Sequence, residues 1–214
     1  MTVILNQYKL FYAAIPKIAC TSLKTMFFEI ENDFKFTPYS VNGNRRHIHN
    51  MYPSMLPQQW PEQRIRDFYR MTLVRDPIKR FLSAYGNRVI FHKELSENAC
   101  GPKLEALGLE PTPDLDLFVD RYEDYLKAHN SIFHHTRPMV DFIGHDPSYF
   151  SRIYNLSEMD QLLSDISDRV GRSITVGHKQ TGGPKFKPDD LTEAQRKKLR
   201  KIYAQDYKIY DAYF

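Results

Sequence analysis

The chain has 214 residues, of which 42% are hydrophobic, 14% aromatic and 26% charged, with a formal net charge of +4. This composition excludes a disordered chain, and two cysteines (Cys20 and Cys100) exclude a disulfide framework; the length suits a single domain over 1–214. The mild, mixed charge gives no footprint for nucleic acid and leans toward anionic small molecules or acidic substrates, while the absence of an apolar run of ~20 residues or of a signal peptide leads us to expect a cytoplasmic protein without a membrane span.

Residues 8–15 (YKLFYAAI) read as a buried strand, and 21–31 as a helix with Leu23, Met26, Phe27 and Ile30 on one stripe. The loop between them, within "PKIACTSLK", places backbone amides around Ala19, Cys20, Thr21 and Ser22 at a helix N-terminus, where the dipole favours negative charge. Thr21 and Ser22 add hydroxyls, and Lys17 reaches over the loop with a cation. The glycines of a Walker A loop are missing. The plain alternative is an ordinary strand–helix turn with a solvated lysine.

A short strand is expected near 34–40, followed by a long irregular stretch, 41–64, that contains "NGNRRHIHN" and three prolines. A second strand covers 69–75 (YRMTLVR), and Asp76-Pro77 marks the start of a helix that runs to about His92. Asp76, Arg80 and Ser83 share a face of that helix, with Asp76 placed to brace an arginine. Arg75 and Ser83 would form a second phosphate clamp at a strand end. The polar segment 93–113 reads as an insertion and 114–127 as an amphipathic helix. A third strand at 150–155, a helix at 158–170, a loop "VGHKQTGGPKFKPDD" and a last helix capped by Thr192 with Gln195 complete the chain. Strands separated by helices give an α/β class: a central parallel sheet between helical layers.

Two phosphate cradles at two strand ends fit a nucleotide phosphorylated at two places. "PKIACTSLK" resembles the 5′-phosphosulfate loop of the sulfotransferases, and "RDPIKRFLSAY" their 3′-phosphate motif R-D-P-x-x-R-x-x-S-x-Y. The ending "YAQDYKIYDAYF" is similar to the C-terminal pattern of the carbohydrate (Golgi-type) branch, whose heparan- and chondroitin-type members the chain most resembles. The resemblance implies a P-loop NTPase-like three-layer α/β/α fold. It also implies 3′-phosphoadenosine 5′-phosphosulfate (PAPS) as donor, adenosine 3′,5′-bisphosphate as product, and no required metal. Lys17, Ala19, Cys20, Thr21 and Ser22 would then hold the 5′-phosphosulfate, and Arg75 and Ser83 the 3′-phosphate. "GHKQTGG" stands where the family has an H-x-N-x-S-like loop; Gln180 replaces its asparagine, and Lys179 is carried over as a nucleotide contact.

Sulfuryl transfer asks for in-line positioning, a cation such as Lys17 at the departing oxygen, and a base for the acceptor hydroxyl. His47 and His49 in "RRHIHN" supply the expected base, resembling the histidine pair of heparan-type 2-O-sulfotransferases. His134 and His135 compete for that role, and exposed loop histidines are the plain alternative. The expected partner is a hydroxyl-bearing glycan or glycoconjugate. The rivals are a P-loop-type nucleotide kinase and a non-catalytic nucleotide- or glycan-binding module.

Overall fold

In a computed structural model of the protein, residues 2–52, 55–177 and 182–214 are described. Among the described residues six strands form: β1 (Thr2–Leu5), β2 (Leu10–Ala13), β3 (Tyr39–Val41), β4 (Asn44–Arg46), β5 (Tyr69–Val74) and β6 (Arg152–Asn155). The residues group into two compact units, each assembled from separate stretches of chain.

The first unit comprises 1–75, 139–179 and 209–214. Its sheet has the order β1-β2-β5-β6, in which β2, β5 and β6 are parallel. Burial explains the arrangement: every residue of β2 and the last four of β5 are buried, as strands covered on both faces require. The sequence reading did not include β1, a four-residue strand antiparallel to β2. With only "TVIL" to read, period-2 alternation has no length in which to show. The central sheet is therefore parallel through β2, β5 and β6, with one antiparallel strand added at the edge.

The register aligns the carboxyl ends of the strands. Ala13 lies opposite Thr72, and Val74 opposite Asn155. Thr72, fully buried, donates its hydroxyl to the Ala13 carbonyl at 2.8 Å, fixing the point where β2 gives way to the loop beyond it. That loop leads into α1 (Cys20–Asn32), whose Leu23, Met26, Phe27 and Ile30 enter the core as the periodicity predicts.

The stretch 41–64 is more ordered than expected. It contains β4, paired to β3 in a hairpin, then α2 (Ile48–Met51), a 3-10 turn at Pro57–Gln59 and a helical turn at Glu62–Ile65. None exceeds four residues, too short for hydrophobic periodicity to register. Trp60 anchors the stretch, its ring 5.1 Å from Phe11 and 4.9 Å from Tyr149.

The second unit comprises 76–138 and 180–208 and is helical among its described residues. Phe81, Phe118, Tyr122, Tyr125, Leu199 and Tyr203 make up much of its core. The helix begun at Pro77 runs to Ala84 and continues as a π-helical turn over Tyr85–Phe91. The supposed insertion 93–113 contains a helix, Glu97–Ala106, hidden in the sequence by Gly101 and Pro102 and distorted at Cys100. The expected helix at 114–127 breaks at Arg121 into Leu115–Asp120 and Tyr122–Ala128. Gly183, at φ +108, packs so closely on Gly86 that a Cβ would lie 2.2 Å from the Gly86 carbonyl oxygen.

Arg80 is fully buried and serves this unit's architecture. Its guanidinium donates to the carbonyls of His135 (3.0 Å), Thr136 (3.3 Å) and Arg137, closing the C-terminal end of the helix Asn130–Thr136. Replacing Arg80 with Met strands these acceptors in an apolar interior. Urea unfolding of Arg80→Met is expected to show a loss of roughly 3 kcal/mol, with Arg80→Lys recovering only part because one ammonium cannot span the three acceptors.

Candidate functional site

The junction between β2 and α1 is built to leave amides open. Ile15 and Ile18 are fully buried and pull the loop onto the core, while Lys17 between them is half-buried. Two non-glycine residues in this short loop adopt left-handed backbone angles, Lys17 at φ +68 and Ala19 at φ +49. Each costs about 1–3 kcal/mol, strain of the kind found at ligand clamps. Ala19 is the N-cap of α1, and its methyl side chain offers no acceptor to the first turn. The first intrahelical bond runs from the Leu23 amide to the Ala19 carbonyl, leaving Cys20, Thr21 and Ser22 at the open positive end of the dipole.

The two histidines separate into different places. His47 precedes α2 as its N-cap, and its backbone amide donates to Asn50 Oδ1 at 2.8 Å. His49, on α2, puts Nε2 3.0 Å from Thr21 Oγ1. That position is held at the other end of α2, where the Tyr52 hydroxyl donates to Glu31 of α1 at 3.2 Å, with Ile48 buried between. The structure thus brings Lys17, Ala19, Cys20, Thr21, Ser22 and His49 to one end of α1. Beside Ser22 a groove of about 490 Å³ runs along α1 past Thr25, Met26 and Ile30 to Ile174.

Arg75 directly follows β5, at the strand edge where β2 also ends. The rest of its sequence motif lies in the second unit, and there most of it is structural. Asp76 serves the helix itself: Oδ1 accepts the Lys79 amide at 2.8 Å as the helix cap, and Oδ2 accepts the Tyr207 hydroxyl at 3.0 Å. Burial and the Asp76 carboxylate push the Tyr207 phenol well above its ordinary range. Tyr85 is buried and donates to the Pro113 carbonyl at 3.1 Å. Ser83, half-buried, is the one motif residue of that helix with a partly exposed hydroxyl-bearing side chain. His135 turns Nδ1 onto its own helix, 2.7 Å from the Ser131 carbonyl oxygen. Lys179, with His178, Gln180 and Thr181, lies outside the described residues. No group of three or more potential metal ligands occurs among the described residues.

Lys24 was not singled out from the sequence. It is fully buried one turn into α1, and its Nζ has no hydrogen-bond partner among the described residues. Burial lowers its pKa to about 8, with Cys20 acting the other way.

Compared with known families, the chain matches the Sulfotransferase family over residues 1–213, and it belongs to that family. Among curated proteins it is similar to carbohydrate sulfotransferase 11 of Rattus norvegicus, 27% identical over 86 residues, 39% of this chain and 24% of that protein. It is likewise similar to carbohydrate sulfotransferase 14 of Danio rerio, 26% identical over 83 residues, 39% of this chain and 22% of that protein. The matched segment thus spans about a quarter of the length of these relatives. No solved structure matches the chain significantly.

Two measurements test the site's physics without a ligand. Ala19→Gly should raise stability by roughly 1 kcal/mol, because glycine adopts the left-handed cap without a Cβ penalty; an unchanged or lowered midpoint in urea would contradict the strained cap. Lys24 binds its proton less tightly folded than unfolded, where an amine titrates near 10.5. Between about pH 8 and 10.5 the unfolded chain therefore holds more protons, and this group makes stability rise with pH. The difference between wild type and Lys24→Met should follow that rise across the same window.

Proposed function

We propose that the chain transfers the sulfuryl group of PAPS to an acceptor hydroxyl on a carbohydrate, releasing adenosine 3′,5′-bisphosphate and requiring no metal. The observation that carries this reading is the junction at α1: an uncapped helix N-terminus in a strained loop, with Thr21 and the imidazole of His49 3.0 Å apart. A cation, two hydroxyls, open amides and a histidine fit a bound phosphosulfate and an acceptor to be deprotonated. The family match over almost the whole chain supports treating it as one sulfotransferase domain. The names of the curated relatives support a carbohydrate acceptor.

The donor brings an activated sulfuryl group; the chain's residues supply position and charge. Amides of Cys20, Thr21 and Ser22 bind the 5′ anion, and the Thr21 and Ser22 hydroxyls orient it. Lys17 neutralises charge that develops on the departing oxygen. His49 takes the acceptor's proton at Nε2, and His47 orients the acceptor. Arg75 and Ser83 are assigned to the 3′-phosphate on the motif alone, and Lys179 to the nucleotide on the same ground. The groove beside Ser22 lies within the size range of small-molecule sites and offers both apolar and hydroxyl groups to a nucleoside.

Thermal denaturation tests the nucleotide: adenosine 3′,5′-bisphosphate should raise the midpoint as linkage requires, and AMP and ATP far less. Equal, Mg²⁺-dependent stabilisation by ATP would favour the kinase reading instead. Steady-state kinetics test the base. His49→Ala should lose roughly 10²–10⁴-fold in turnover while retaining nucleotide binding. Near-normal turnover in His49→Ala beside an inactive His134 or His135 variant would move the base to the later segment.

A further inference from the structure

The mechanism above leaves the fully buried Lys24 unused. Lys24 lies four residues after Cys20, the first residue of α1, and helical side chains lean back toward the N-terminus. Its stem therefore runs under the turn whose amides form the cradle, and the Cys20 thiol at that turn acts on it electrostatically. The side chain has no exposed surface, and Nζ meets no acceptor among the described residues. A buried ammonium without an anion is costly, so in the free protein part of the population sheds the proton near pH 8. A buried, unpartnered lysine one turn from the open end of a 13-residue helix makes sense if an anion arrives there.

We propose that Lys24 is a second, buried cation of the nucleotide site and that it gains a proton from solvent when the nucleotide binds. This rests on the sulfotransferase reading and adds a role to it. Lys17 meets the anion from the loop, half exposed; Lys24 supports it from the core side. No bond to the nucleotide is made or broken: a proton moves from buffer to Nζ, and the positive charge it brings strengthens binding. Three other groups bear on the same turn. The Cys20 thiol lies on α1 itself. Tyr12 of β2 has a buried hydroxyl also without a partner among the described residues, and burial holds it protonated far above the working range. His49 of α2 approaches through Thr21.

Titration calorimetry of adenosine 3′,5′-bisphosphate at pH 8.5, in buffers of different ionisation heat, reads the proton directly. Wild type should take up between about a half and one proton per nucleotide, and affinity should weaken by up to about tenfold per pH unit above pH 8. The phosphates are already dianionic there, since their second pKa is about 6. Lys24→Met should bind more weakly at pH 7 and take up no proton. Lys24→Arg, charged at every pH, should restore affinity without uptake. Cys20→Ser should keep the uptake. Binding without proton uptake in wild type, undiminished uptake in Lys24→Met or Lys24→Arg, or loss of uptake in Cys20→Ser would overturn the proposal; the wild-type and arginine results decide it even if the methionine variant fails to fold. Failure of the nucleotide to bind at any pH would instead overturn the sulfotransferase reading, and this proposal with it.

Discussion

The first amides of a helix have no partners within the helix, and proteins ordinarily supply a serine, threonine or aspartate to accept from them. At α1 the chain supplies an alanine in a left-handed conformation. Keeping that end open requires the surroundings to enforce it. Thr72 fixes the last residue of β2, Ile15 and Ile18 sink the loop into the core, and Leu23 and Phe27 seat the helix behind it. The sheet, the strained loop and the placement of α2 all serve this one unsatisfied terminus.

The two sequence motifs divide their labour differently from one another. In the first, the residues that would touch a ligand are the residues that make the motif: small side chains, hydroxyls and a lysine. In the second, most of the pattern is scaffold. Asp76 caps a helix and receives Tyr207, Arg80 closes the helix Asn130–Thr136, and Tyr85 secures the chain at Pro113. The C-terminal pattern works likewise, with Tyr203 donating to the Thr136 carbonyl at 2.5 Å and Tyr210 to that of Gly144 at 3.0 Å. A motif shared by a family thus records folding requirements as well as ligand contacts.

How far the sequence could be read follows from the length of each element. Strands β2 and β5 and helix α1 carry enough apolar residues for burial to show, and an Asp-Pro or Thr-x-x-Gln start marks its helix. Strand β1, helix α2 and the turns around Trp60 are four residues or shorter, and only tertiary contacts select their conformation. Lys17 and Thr21, at a strand–helix loop, and His49, in the long stretch 41–64, were singled out from the sequence as candidates for holding an anion or taking a proton. Lys24 was not, because a lysine in a helix normally reads as solvated; that its side chain enters the core depends on packing that no local pattern encodes. Arg80 is a second case of the same kind: a charged residue sharing a helix face with Asp76 and Ser83, it is fully buried.

The central claim is that the open end of α1 holds a phosphosulfate whose sulfuryl group passes to a carbohydrate hydroxyl. Incubating the protein with PAPS labelled in its sulfuryl group and a panel of polysaccharides, without added metal, tests it most directly. The account predicts label covalently attached to a polysaccharide and stoichiometric release of adenosine 3′,5′-bisphosphate, both strongly reduced in Lys17→Ala. Absence of transfer to any carbohydrate, together with Mg²⁺-dependent transfer of the terminal phosphoryl group of ATP to a nucleotide, would contradict it.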